Sequence, residues 1–388
     1  MTVVDWLLDS DPAIRWQVMR DVTEQPSDVV AAERSRVATE GWGARLLALQ
    51  DTDGQWGRDV LPASSEDAGD GLPDVATRKL LLELHDVSLD QLAAYLDLDA
   101  EALAAWDSDP HPNLEDEGID KYRAALNWMR NSIGTLKPSW TSTTYTLLLL
   151  RDMGLDPASD QARRAVGLVR DNSRWDHDGQ RYFDGEVEPC INGKTVALGA
   201  YFDQDVAGVV ERLLGEQLDD GGWNCEAERG SIRSSFNTTI AVLEGLLEYE
   251  RALGLATDVT AARLTAQEYL LERRMLRRLA TGEIADPAWS EFSFPTYWHY
   301  DVLRGLSYLR SAGVEPDERC AEAIDLVETK RDPEGRWPLE NSHPGRVHFD
   351  MDEGDGKPSR WNTLRAMRVL DWHEGNPGAV HSGLNGSQ

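Results

Sequence analysis

Three side chains that bind soft metal ions occupy comparable places in the sequence. Cys190 and His299 each open an apolar segment, and Cys225 lies just ahead of another such segment. Two cysteines and a histidine with an open fourth position are an accepted catalytic zinc set, to which Asp220 or Asp301 could add an oxygen ligand. The alternative is structural, because a cysteine is often a small core residue. We predict Cys190, Cys225 and His299 as metal ligands, with zinc as the candidate cofactor.

A second set of side chains suits a substrate with an anionic group and an apolar body. Lys194, Arg233 and Arg304 fall near the same segment starts, where cations and helix N-termini together favour a diphosphate. Salt bridges to the abundant acidic residues are the alternative. The aromatic candidates for lining a pocket or stabilising a carbocation, or simply for packing, are Trp140, Phe236, Tyr297, Trp298, Tyr300 and Trp361. The candidate catalytic residues are Asp220, Asp301 and Tyr300.

A turn that occurs three times indicates the elements that position these residues. Its form is Gln/Arg-x-x-x-Gly-x-Trp, and it ends at Trp56, Trp223 and Trp337. Each copy follows an amphipathic segment, at residues 44–49, 206–216 and 321–330. Gly, Asp and Pro in the turn end that helix. The Trp can then lie back on the helix, supported by the Gln or Arg.

Apolar helices with polar starts follow these turns. Their hydroxyl and amide side chains accept hydrogen bonds from free backbone N–H groups. The predicted starts are near Ser142, Cys190, Ser235, Thr296 and Ser359, with an earlier candidate at residues 10–22. More polar helices, such as residues 160–171 and 261–279, alternate with them. Alternation at roughly 40 to 60 residues is typical of stacked helical hairpins.

We therefore predict an all-α fold, an α/α toroid of about six inner and outer helical hairpins. The apolar helices form the inner ring, and their N-termini meet at one rim of a central cavity. The inner face is expected to be apolar, which makes Lys194 stand out.

One stretch departs from the repeat period. Residues 58–137 are interpreted as a helical insertion into a toroid domain formed by residues 1–57 and 138–375. This insertion is either a lid or partner surface, or an inert embellishment. Residues 376–388 are expected to be a disordered tail.

Composition excludes several classes of function. The net charge is −30, with 39 Lys and Arg against 69 Asp and Glu, which argues against nucleic acid and anionic membrane surfaces as partners. No apolar run reaches the length of a membrane span, and the N-terminus has no signal-peptide pattern. Three cysteines fit a reducing compartment, so we expect a cytoplasmic location. Cys320, in an amphipathic helix, is expected to be a core residue.

The repeated turns, the Gly221-Gly222-Trp223 ending and the segment Tyr-Trp-His-Tyr-Asp-Val-Leu-Arg-Gly-Leu that begins at Tyr297 resemble the terpenoid cyclase and protein prenyltransferase superfamily. The chain looks like its short squalene-cyclase-like or prenyltransferase-like members from bacteria and archaea. The resemblance covers nearly all of the chain outside residues 58–137. It implies a toroid with an isoprenoid substrate in its central cavity.

The resemblance does not extend to the catalytic motifs. Squalene-type cyclases use an Asp-x-Asp-Asp run whose middle acid protonates an alkene. The nearest strings here are Asp203-Gln-Asp205 and Asp350-Met-Asp352-Glu353, neither of which is placed at an inner-helix start. Protein prenyltransferases hold zinc with an Asp-x-Cys and a His. His299 matches that His, but the chain reads Ser-Ser-Phe from Ser234, where the Asp-x-Cys is expected.

Two classes of function follow. The first is a prenyltransferase- or terpene-cyclase-like enzyme, zinc-assisted in one version, acting on an isoprenoid or similar apolar substrate in the central cavity. The second is a non-catalytic lipid-binding or scaffold barrel. A lyase or hydrolase of polar substrates is a third hypothesis, although no paired carboxylates favour it.

Overall fold

The computed structural model describes residues 1–57, 72–85, 87–110, 112–113, 118–132, 139–175 and 179–375. Their regular secondary structure is almost entirely helical, which confirms the all-α class. The helices are α1 (Val3–Leu8), α2 (Pro12–Asp21), α3 (Ser27–Ser35), α4 (Gly41–Ala48), α5 (Val75–His85), α6 (Leu89–Leu96), α7 (Ala100–Ser108), α8 (Ile119–Ser132), α9 (Thr143–Asp152), α10 (Asp160–Asn172), α11 (Pro189–Tyr201), α12 (Ala207–Gly215), α13 (Phe236–Leu253), α14 (Thr257–Glu272), α15 (Val302–Ser311), α16 (Ala321–Thr329) and α17 (Arg360–His373). Two short strands, β1 (Trp337–Pro338) and β2 (Pro358–Ser359), pair antiparallel.

The three repeated turns form the same hydrogen bonds. Each Trp is fully buried, and its indole N–H donates to a backbone carbonyl ten residues earlier, at 2.7 Å in all three copies. Each Trp backbone N–H donates to a threonine hydroxyl of the following helix. These donor–acceptor pairs are Trp56 with Thr143, Trp223 with Thr239, and Trp337 with Thr363. The Trp therefore lies back on the preceding helix, as the sequence pattern predicts, and the threonine bond also fixes the turn to the next helix.

The glutamines of the first two turns extend this connection to a third helix. Gln50 donates to the Gly54 carbonyl and to that of Ala165 in α10. Gln217 donates to Gly221 and, in the same way, to Ala262 in α14. These bonds connect the end of α4 to α10 and the end of α12 to α14, so they fix the positions of neighbouring outer helices.

The inner helices contact one another in a closed cycle. The contacts run from α9 to α11, α13, α15, α17 and α2. Helix α2 returns to the end of α9, where Trp16 and Gln17 donate to the carbonyls of Met153 and Asp152. Burial agrees with this placement: eleven of the thirteen residues of α11 are buried, against eight of the sixteen of α14. This difference in burial agrees with an inner position for α11 and an outer one for α14.

Helices α11 and α13 make the closest approach in the cycle. A Cβ atom at Gly193 would lie 2.6 Å from the backbone of Ala241, and one at Gly245 would lie 2.3 Å from the Gly193 carbonyl oxygen. Both positions therefore require glycine, because any side chain would overlap with backbone. This contact fixes the position of Lys194 beside α13.

Helices α5 to α8, which lie in the stretch interpreted as an insertion, form a hydrophobic core of their own. Buried residues from α5, α6, α7 and α8 pack together, among them Leu81, Leu92, Leu103, Tyr122 and Leu126. The proposed boundaries near residues 58 and 137, and the proposed tail at residues 376–388, lie outside the described residues. Among the residues that the structure describes, no helix has the length and apolar character needed to cross a bilayer.

One predicted helix start is wrong. Helix α15 begins at Val302 rather than near Thr296, and Asp301 caps it by accepting from the Arg304 backbone N–H at 2.7 Å. Tyr297 has a φ of 52°, in the left-handed region, which breaks any helix through this segment. His299 consequently lies in a loop ahead of α15.

Candidate functional site

The cycle of inner helices encloses a central cavity of about 230 Å³ whose wall includes residues of all six. Five cationic side chains line it, against two carboxylates. The cations are Arg151, Lys194, Arg304, Arg365 and Arg368, and the carboxylates are Asp152 and Glu244. The expectation of an apolar inner face is therefore wrong at the centre of the ring.

Most of these arginines are paired with an acid. Arg304 forms a bidentate pair with Glu244, with N···O distances of 2.8 and 2.6 Å. Burial alone would raise the pKa of Glu244, but the Arg304 guanidinium overrides burial and lowers it. Arg151 pairs with Asp152 at 2.8 Å, and Arg368 pairs with Asp21.

Lys194 differs from the arginines. Its side chain is 3% exposed, and its ammonium donates to the Cys190 carbonyl oxygen at 3.0 Å. No carboxylate of the described residues forms a salt bridge with it. A buried ammonium without an acidic partner leaves positive charge that an anionic ligand could neutralise.

An aromatic cluster stands beside this charged centre. The Trp140 and Tyr297 rings stack with centroids 4.0 Å apart, and Tyr145 packs edge-on against both. Tyr145 and Tyr297 line the central cavity, and Tyr297 also lines a second cavity of about 430 Å³. Tyr145 and Lys194 continue into a third cavity of about 370 Å³. The three cavities therefore share walls around this cluster.

A carboxyl group faces the second cavity at the start of α17. Asp352 accepts from the Ser359 hydroxyl at 2.8 Å and from the Arg360 backbone N–H at 3.3 Å. Burial raises the pKa of Asp352, against the lowering effect of these two hydrogen bonds. Asp352 lies in the loop ahead of Ser359, as the sequence predicts, and this loop folds back so that the carboxyl group contacts the start of α17.

Two of the three predicted metal ligands converge. The ligand atoms of Glu188, Cys190 and Cys225 all lie within 4.8 Å of one another, at the edge of the third cavity. Cys190 Sγ is 3.5 Å from Glu188 Oε2, and Cys225 Sγ is 3.4 Å from the Thr238 hydroxyl. Hydrogen bonding to Cys225, together with burial, raises the pKa of Cys190 well above its usual range.

His299 does not belong to this group. Its ring stacks between those of Trp298 and His343, with centroid distances of 3.7 and 3.5 Å. Burial, followed by the neighbouring His343, lowers the pKa of His299 to about 4. It is therefore a neutral side chain near pH 7. The late start of α15 is what keeps it away from the cysteines.

The three predicted catalytic residues form hydrogen bonds that stabilise the local backbone. Asp220 accepts from the backbone N–H and hydroxyl of Ser234. Asp301 accepts from Ser293 and lies 3.8 Å from Arg365. The buried Tyr300 donates to the Met275 carbonyl at 2.6 Å.

Five of the seven predicted substrate-binding residues line a cavity, and two do not. Lys194, Arg304 and Trp361 line the central cavity, and Lys194, Trp140 and Trp298 line the third. Arg233 is exposed to solvent, and Phe236 packs against Trp289 and Tyr300. Trp361 also stacks on Phe294, with centroids 4.2 Å apart.

Sequence reasoning missed several residues of the site. Arg365 and Arg368 lie three residues apart in α17 and line the cavity; arginines inside an apolar inner helix were the available signal. Glu188 lies two residues before Cys190, a spacing that brings both side chains to one helix start. No local signal pointed to Glu244 as the partner of Arg304, because the two are 60 residues apart.

Comparison with known proteins gives little to add to this geometry. No protein-family model and no curated protein sequence matches the chain. Among solved structures, it is similar to the type II terpene cyclase MstE from Scytonema without ligand, at 13% identity and a TM-score of 0.30 over 90% of this chain and 99% of that one. An arginine-to-alanine variant of MstE in complex with its substrate, geranylgeranyl dihydroxybenzoate, gives 14% identity and a TM-score of 0.28 over 90% and 98%. Likeness at this level carries no argument about function.

Proposed function

We propose that the protein is an enzyme acting on an isoprenoid substrate that carries an anionic head group. The head group binds among the cations of the central cavity, and the prenyl chain lies along the aromatic cluster into the second cavity. The observation that supports this most is the shared wall: Tyr297 lines both the cation-rich cavity and the larger aromatic one.

The charges favour an anion over a neutral hydrocarbon. Lys194 is buried and has no carboxylate partner among the described residues, and Arg365 and Arg368 line the same cavity. Guanidinium and ammonium groups are the usual ligands of phosphate and carboxylate oxygens. A prenyl diphosphate supplies such oxygens, and its apolar chain supplies surface for Trp140, Tyr145 and Tyr297 to cover.

Asp352 favours cyclisation as the reaction. Its carboxyl group borders the second cavity, and burial shifts its pKa upward, the direction that a proton donor beside the prenyl chain requires. Transfer of that proton to one alkene carbon would leave a carbocation on the other, which the faces of Trp140 and Tyr297 would stabilise. Loss of a proton from a neighbouring carbon would restore a neutral product. This role needs no metal.

The test uses geranylgeranyl diphosphate as the probe, with binding measured by calorimetry and products by mass spectrometry. We expect Lys194→Met to weaken binding by roughly 10- to 100-fold, the value of one charge-assisted contact. Asp352→Asn should retain binding and abolish product. The control is Lys357→Met, which removes an exposed lysine outside the cavity and should bind as wild type does.

Other outcomes are equally informative. Binding without turnover would support the non-catalytic barrel. The charged cavity also suits polar anions, so an acidic oligosaccharide serves as the comparison ligand. Preferential binding of that ligand would favour a lyase or hydrolase. Failure of both probes to bind would overturn the proposal.

A further inference from the structure

A group of metal-binding side chains lies beside the proposed substrate cavity and takes no part in the function above. Cys190 and Glu188 come from the start of α11, and Cys225 comes from the loop that leads to α13. Both cysteines are partly buried free thiols, and both border the third cavity.

The geometry points to a zinc site with Glu188, Cys190 and Cys225 as its three protein ligands and the fourth position open to the third cavity. Zinc binds two thiolates at about 2.3 Å and a carboxylate oxygen at about 2.1 Å. In a tetrahedron these lengths place sulfur and oxygen about 3.6 Å apart, and the two sulfurs about 3.8 Å apart. The structure has Cys190 Sγ and Glu188 Oε2 at 3.5 Å and all three atoms within 4.8 Å.

The surrounding charges suit an occupied site. Two thiolates and a carboxylate carry −3, so a bound Zn²⁺ leaves a net −1. Lys194 donates to the carbonyl of Cys190 itself, so its ammonium lies within one helix turn of the site. The Thr238 hydroxyl, 3.4 Å from Cys225 Sγ, can donate to the thiolate, as hydrogen-bond donors around metal ligands commonly do.

The open position suggests a catalytic type of site rather than a structural one. Structural zinc is enclosed by four protein ligands, whereas three ligands and a solvent-accessible position bind water or substrate. Trp140 and Trp298 line the same cavity, so a molecule bound there would meet an aromatic wall. This proposal does not depend on the isoprenoid proposal, because all three ligands are side chains of the protein and no substrate is needed to form the site.

The test uses Co²⁺ as a spectroscopic probe of the metal-free, reduced protein, with no substrate present. We expect a thiolate-to-cobalt charge-transfer band that saturates at one equivalent per chain and disappears when Zn²⁺ is added. Cys190→Ser and Cys225→Ser should each lose the band. Glu188→Gln, a change at an exposed residue, should weaken cobalt affinity by about 10- to 100-fold while both thiolates remain bound.

The matched control is Cys320→Ala, which removes the remaining cysteine, a fully buried one near the start of α16. It should keep the band and the stoichiometry, and circular dichroism would show that each variant is folded. Absence of the band in the wild-type protein, with both thiols free to react, would overturn the proposal. A band that survives Glu188→Gln at unchanged affinity would also exclude the three-ligand site.

Discussion

The three repeated turns share one set of hydrogen bonds, whereas the central cavity is lined by interactions that do not repeat. In every turn one Trp is buried. Its indole N–H donates to a carbonyl ten residues earlier, and its backbone N–H donates to a Thr hydroxyl of the next helix. The cavity has no such repetition. Its charged residues come from different inner helices, among them Lys194, Glu244, Arg304 and Arg368. Arg304 pairs with Glu244, Arg368 pairs with Asp21, and Lys194 donates to a backbone carbonyl.

This difference separates architecture from function within one molecule. An interaction that recurs at three connections between an outer and an inner helix solves a packing problem that these hairpins share. Charged groups buried at single positions have no such common purpose and cost free energy on their own. We therefore assign the turns to stability and the cavity to ligand binding, and the following predictions test that division.

The largest effect is expected at a repeated turn. Trp223→Ala should lower the free energy of unfolding by about 3–5 kcal/mol, because it leaves a cavity and removes the ring that closes on Leu213. Urea unfolding followed by circular dichroism measures this loss. Trp56→Ala and Trp337→Ala should cost similar amounts.

Trp298→Ala is the matched control. Trp298 is 41% exposed and belongs to the third cavity, so its truncation should cost under about 1 kcal/mol. A Trp223→Ala cost no larger than that of Trp298→Ala would refute the structural role of the turn.

The second effect concerns the charged wall of the cavity at low pH. Burial alone would raise the pKa of Asp21, but Arg368 and Arg20 override it and hold it at about 2. The folded pKa lies below the unfolded value of about 3.9, so this group stabilises the fold above about pH 4. That stability is lost as the pH falls through about 2, and it amounts to about 2 kcal/mol.

Asp21→Asn should remove this part of the acid sensitivity. The difference in unfolding free energy between wild type and variant should shrink by about 2 kcal/mol from pH 5 to pH 2. Asp9→Asn, at an exposed aspartate, is the control and should run parallel to wild type. Parallel curves for Asp21→Asn would mean that the Asp21–Arg368 pair contributes no pH-dependent stability.

The third prediction tests whether the three turns are equivalent. We replace each turn threonine with valine, which keeps the side-chain shape and removes the hydroxyl that accepts from the backbone N–H of the buried Trp. The three variants are Thr143→Val, Thr239→Val and Thr363→Val. Each should cost about 1–3 kcal/mol, and the three values should agree. Thr195→Val is the control, because Thr195 only donates to the Ile191 carbonyl of its own helix. Widely different costs at the three turns would show that they are not one repeated device.

Much of the fold was accessible from the sequence. Gly54, Gly221 and Gly335 lie two residues before a Trp, and each adopts a positive φ. Such a residue favours a turn over a continued helix, whatever surrounds it. Polar starts and apolar bodies separated the inner helices α9, α11, α13 and α17 from outer ones such as α14. These features are local, and a chain segment carries them by itself.

The sequence also predicts that Cys190 and Cys225 approach each other, since consecutive units place both near an inner-helix start. Tertiary structure decided the rest of the site. His299 stacks on His343 instead of joining the cysteines, because Tyr297 breaks the segment and delays α15. Asp352 reaches the start of α17 only because its loop folds back. Arg304 and Glu244 pair across 60 residues, and only the closing of the ring brings such distant charges together.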